Sequence, residues 1–197
     1  MLQSFYAFMI TELTMDYLFR ESGRIDVDDF VNRADLLCAL GHKVVISNCN
    51  DHQALINYMS DHRVQNLGLV VGVKELQQII TEKYEQNQDG RLLVAMGELF
   101  TRHIKVYAYP KQEPDGTMTT AANMSVPEGI KFLYKHLLDS EQIEDIKIYN
   151  KENLHILPWE VRESIEAGNS DWEDKVPKKV KKVIKKKGLF GYKKSKK

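Results

Sequence analysis

Cysteine is scarce in this sequence. Two thiols, Cys38 and Cys49, are too few to staple a fold, so free cysteines in a reducing compartment are expected. The six histidines form no HxxxH or HExxH pair and the cysteines no CxxC, which argues against a zinc site built from neighbouring ligands. Neither a GxGxxG loop nor a P-loop is present, and no internal repeat is visible. Apolar runs are short: the stretch 67–73 is interrupted by Gly68 and Gly72 and falls far below the ~20 residues that span a bilayer. The N-terminal MLQSFYAFMITELTMDYLF lacks a basic flank and contains Glu12 and Asp16, so it reads as an amphipathic helix rather than a secretory leader.

What is present is an ordinary apolar fraction, 43%, over 197 residues, enough for a core without disulfides or metal. The formal net charge of zero conceals a division. Twelve of the 28 basic residues are lysines in 175–197, where there is no acid, leaving the body near −12 and the tail near +12. We therefore expect a soluble, cytoplasmic chain with an acidic domain over 1–174 and a basic C-terminal helix with a mobile end over 175–197.

Phe5, Phe8, Met9, Leu13 and the 15–18 group lie near helical spacing, which predicts a helix over 3–21 stopped by Gly23. Asp26 opens a second helix with Phe30, Val31, Ala34, Leu37 and Cys38 on its buried face and Gly41 beyond its end. Two continuous apolar runs, 43–47 and 67–71, each followed by a helical pattern, predict buried parallel strands in a βαβ unit. A third strand over 104–109 alternates: Ile104, Val106 and Ala108 face one way, Lys105, Tyr107 and Tyr109 the other. That pattern suits a sheet edge or a partly solvated face. Glu113-Pro-Asp-Gly116 has the residues of a type I turn, so 117–120 is expected to return as a hairpin. A helix over about 127–139, a strand over 143–149 and a helix opened by Pro158 and closed by Gly168 follow. The expected fold is α/β: a mostly parallel sheet of about four strands, helices on both faces, one edge hairpin and a lysine-rich final helix.

Ligands of α/β sheets gather at the carboxyl ends of strands, where helix N-termini offer free N–H groups. The candidate ligand site is therefore Ser47, Asn48, Asn50 and Asp51 after the first strand, with Gly72 ending the next and allowing close approach. The plainer alternative is that Asn50 or Asp51 only caps the helix. Cys49, with His52 three residues on, has the outline of an activated thiol but lacks a third, orienting group. Asp26, Asp28 and Asp29 resemble a DxD motif, yet they open an amphipathic helix, where acids complement the helix dipole. In the tail, Pro177 suits a first helical position, and Val176, Val180, Val183 and Ile184 share one face. Gly188 suits the end, with Leu189 and Phe190 folding back. Lys178, Lys179, Lys181, Lys182, Lys185 and Lys186 would contact an anionic partner, or dock the helix on the domain's own acids.

The stretches VVISNCNDHQALINYM, LGLVVGVKELQQIITEKY, GRLLVAMGELFTRHIKVYAYP and GNSDWEDKVPKKVKKVIKKKGLFGY resemble the C-terminal part of a long, uncharacterised bacterial family of Bacteroidetes type. Its members carry unreliable automatic names such as nicotinate-nucleotide adenylyltransferase and TonB-dependent receptor. The resemblance runs from about Leu13 to Tyr192 and implies a stand-alone version, or an excised half, of something larger, with the tail helix part of the domain. The family usually has an aromatic residue where this sequence has Cys49. It carries over no catalytic residues, and the chain has no HxGH or ISxTxIR motif to match the adenylyltransferase name. The functional expectation is a module that binds a partner subunit or a second copy of itself, with a small anionic ligand at the first strand end. The alternatives are a nucleotide or phosphoester enzyme using Asn48, Asn50 and Asp51, and a tail that anchors the chain to nucleic acid or an anionic membrane. No cofactor or metal is assigned.

Overall fold

The computed structural model describes residues 8–15, 27–62, 64, 66–100 and 104–193. The fold is α/β with parallel strands, and the chain forms two compact units. The first takes the residues up to Leu55 and from Ile156 onward; the second spans Ile56–His155.

In the first unit, β1 (Ile10–Thr14) and β2 (Lys43–Ser47) pair in parallel, Ile10 opposite Lys43 and Thr14 opposite Ser47. Over Ile10–Thr14 a strand thus stands within the stretch where a helix was expected. Ile10, Thr11 and Thr14 are β-branched and fit a pleated strand better than a helical turn. Residues 3–7 and 16–21 of that stretch, with Gly23 and Asp26, lie outside the described residues. Helix α1 (Val27–Leu40) ends at Gly41, whose φ of +92° is the left-handed turn expected there. Its buried position is Leu36, while Val31 and Cys38 are exposed, so the face is rotated from the expected one.

Pro158 and Gly168 bound α6 (Pro158–Glu166) as anticipated. Helix α7 (Lys178–Lys187) starts one residue later than expected, with Pro177 as its cap, and stops at Gly188 with φ +69°. Its Ile184 is 1% exposed and packs with Trp172, Ile165, Leu36 and Leu189, joined by Val180 and Val183. Each such aliphatic residue contributes about 1.5–3 kcal/mol on burial. The tail helix is a structural part of this unit.

Helix α2 (His52–Asp61) leads from the first unit into the second. There β3 (Gly68–Gly72), β4 (Lys105–Tyr109) and β7 (Ile143–Asp145) form a parallel sheet in the order β3-β4-β7. The intervening helices are α3 (Val73–Gln86), α4 (Leu92–Leu99) and α5 (Lys131–Asp139). Between β4 and α5, β5 (Lys111–Gln112) and β6 (Met118–Thr119) make the expected hairpin. Its turn is closed by the Gly116 amide donating to the Glu113 carbonyl at 2.9 Å.

Three expectations change here. The runs 43–47 and 67–71 do not share a sheet: β2 pairs with β1, and β3 with β4. The alternating strand β4 is central rather than at the edge, and the final strand stops at Asp145. Side-chain parity explains the second change. Val71, Val106, Ala108 and Ile143 point into one core with Leu76, Ile80, Met96, Leu99, Tyr134 and Leu137 from the helices. The alternation therefore reports a partly solvated face, the other half of the expectation.

Candidate partner-binding face and strand-end loops

The open face carries Gly68, Val70 and Gly72 from β3, Lys105, Tyr107 and Tyr109 from β4, and Glu144 from β7. Val70, Tyr107 and Glu144 stand opposite one another across the three strands. Val70 is 63% exposed, although a β-branched residue on a parallel strand is ordinarily covered. Lys105 forms an ion pair with Glu144 and lies 3.9 Å from Glu141, and its ammonium is 5.9 Å from the Tyr107 ring centre. The Glu144 carboxylate holds Lys105 above the ordinary lysine value. The Tyr107 ring lies close over Gly68, where an added Cβ would come within 3.1 Å of it, so a larger residue there would require the ring to shift by a few tenths of an ångström. At the amino ends of β3 and β4 the face runs into a cleft of about 430 Å³ that shares Gly68, Lys105 and Tyr107 and adds Asn66 and Glu141. Both added residues have φ of +56°.

The predicted ligand residues fall into two places. Ser47 ends β2 and donates its hydroxyl to Glu12 on β1 at 2.5 Å, while Asp51 accepts the Ala54 amide at 2.7 Å and so caps α2. Cys49 is held through its backbone, its amide donating to the Ser47 hydroxyl and its carbonyl accepting from Thr14. Asn48 and Asn50 lie in the same loop. Two carboxylates, Glu12 and Asp51, thus stand at this strand end, a setting that opposes an anion. Gly72 belongs to the second unit and ends β3 in a separate sheet, so it does not join Ser47 at one sheet edge.

Gly72 precedes α3 as an N-cap without a side-chain hydrogen bond, and a Cβ there would meet open space. Lys74 in the first turn meets Lys111 of β5, and this contact with a second ammonium holds Lys74 below the usual lysine value. Lys111 itself donates to Glu113 at 2.5 Å and is held above that value. Sequence reasoning missed this pair, because the nearness of 74 and 111 follows from the β3–β4 register alone. The 104–109 alternation signalled the partly solvated face itself, whereas its members on the neighbouring strands, Val70 and Glu144, follow from the register.

The six named tail lysines separate into two sets. Lys181 and Lys185 both reach Glu173, at 3.2 and 2.6 Å, whereas Lys178, Lys179, Lys182 and Lys186 are exposed and make no ion pair among the described residues. Lys187 pairs with Asp35, and Lys175 with Asp171 at 3.1 Å. Of the DxD triplet, Asp28 and Asp29 occupy the first turn of α1, and Asp29 pairs with Arg33 one turn on at 2.7 Å, as helix-opening acids do. No group of three metal-ligating side chains occurs among the described residues. None of their helices is long and apolar enough to cross a membrane. No protein-family model, curated protein or solved structure matches the chain.

Proposed function

We propose that this chain is a subunit-binding α/β module, and that its partner, a second copy of the chain, covers the open face of the β3-β4-β7 sheet. The observation that carries this reading is the 63% exposure of Val70 at the middle of β3, flanked by Tyr107. Parallel sheets are found almost always with both faces covered, and here the core helices occupy one. The face is self-complementary in charge. Lys105 and Glu144 lie on neighbouring strands beside the apolar Val70, so a two-fold related copy can set each charge opposite its counterpart. The test is the mass in solution. Wild-type protein should sediment as a dimer and Val70→Glu as a monomer, since a carboxylate buried there against the partner without a counter-ion is strongly unfavourable. A wild-type monomer at about 100 μM, where even a ~10 μM dissociation constant would register, would end this reading.

A second reading, of another class, is favoured by the Lys74–Lys111 contact: a small anion such as inorganic phosphate held at the carboxyl edge of this sheet. Glu113 already pairs with Lys111, and an anion beside Lys74 would add to it in offsetting the repulsion between the two ammonium groups. Thermal stabilisation by millimolar phosphate that vanishes in Lys111→Met would support it. An unchanged melting temperature across the titration would remove it.

A further inference from the structure

The exposed lysines of α7 belong to the first unit. We propose that Lys178, Lys179, Lys182 and Lys186 form a docking row for the phosphate backbone of nucleic acid, read without regard to base sequence. At 100° and 1.5 Å per residue these four fall within about 100° of arc and span about 12 Å, a straight, one-sided array of positive charge. They are exposed, and no carboxylate among the described residues pairs with them, while Glu173 occupies Lys181 and Lys185. The structure therefore leaves a defined subset of the tail charge available.

Four features select the partner. The apolar stripe of α7 is used internally: Ile184 is 1% exposed, and Val180 and Val183 pack on the core of the first unit. An amphipathic helix binds a bilayer by burying that stripe, so the membrane reading loses its main source of affinity. A protein partner would call for an apolar centre, and lysine is depleted from interface centres; the row is made of lysines alone. Lysine is a point charge without the planar fork that reads base edges, which suits contacts to phosphate oxygens. The body, with its net charge near −12, repels a polyanion elsewhere and leaves the row as the favourable approach.

The experiment is fluorescence anisotropy of a labelled duplex of about 20 base pairs and arbitrary sequence, titrated with the full chain at several salt concentrations. Four phosphate contacts predict a slope of about −3 to −4 for log K against log salt, with equal affinity for unrelated sequences. Replacing the four row lysines together by Gln should weaken binding at low salt by about 30-fold or more. Removing residues 193–197 should weaken it less than about 5-fold. Circular dichroism should be unchanged in both variants, since neither alters the buried stripe. Undiminished binding by the quadruple variant would overturn the proposal, as would loss of binding on truncation alone. So would capture of anionic vesicles or polyglutamate in preference to the duplex.

Discussion

The Tyr134 hydroxyl donates to the Ala121 carbonyl at 2.7 Å, and the Ala121 and Ala122 amides donate to Asp145 at 2.6 and 3.2 Å. Tyr134 is 4% exposed and Ala121 fully buried, so the bonds to Ala121 satisfy backbone groups that water cannot reach. Tyr134→Phe should cost about 1–2 kcal/mol by leaving a buried carbonyl unpaired, and lower the melting temperature by about 2–4 °C per kcal/mol. Burial, reinforced by the charge of Asp145, pushes the Tyr134 phenol above its ordinary 10.0. The unfolded chain therefore releases this proton first, and stability falls as the pH rises above that value. Denaturant melts of the Phe variant should lose that part of the alkaline decline. At this scale the cap at Asp51, weighed in the sequence as the alternative to a ligand contact, was legible because a cap involves neighbours. The role of Tyr134 was not, since its partner is set by the path of the chain between β6 and α5.

Helix α7 is held from both sides, by its stripe and by Glu173. Hydrogen bonds from Lys185 and then Lys181 hold the Glu173 carboxyl below its ordinary 4.5. A depressed carboxyl contributes stability that is present above 4.5 and lost as the pH falls through the folded value. Glu173→Gln should therefore flatten the acid limb of unfolding below that pH, as followed by circular dichroism. Ile184→Ala should cost about 2–5 kcal/mol and raise amide exchange along α7 before the second unit is affected. The ends of this helix were legible in Pro177 and Gly188, because their backbone preferences are local. β1 was hidden: its short β-branched run lies within flanking aromatics that mimic helical spacing, and its pairing partner β2 lies over thirty positions along the chain.

At the scale of the whole molecule, sequence patterning conveyed an α/β chain with parallel strands but not their division between two sheets. Continuous runs at 43–47 and 67–71 look alike whether they lie side by side or in separate units, since pairing leaves little trace in either run. The candidate site divided along the same line, Ser47 going with β1 and Gly72 with β4. What remained visible was the alternation of 104–109, which marked the open face proposed above to meet a partner. The most direct measurement is sedimentation velocity on wild-type protein, Val70→Glu and Phe132→Glu, the last being 86% exposed on α5 and off the open face. Wild type and Phe132→Glu should sediment as dimers and Val70→Glu as a folded monomer. A wild-type monomer, or a dimer of Val70→Glu, would show that the open face does not bind a second copy.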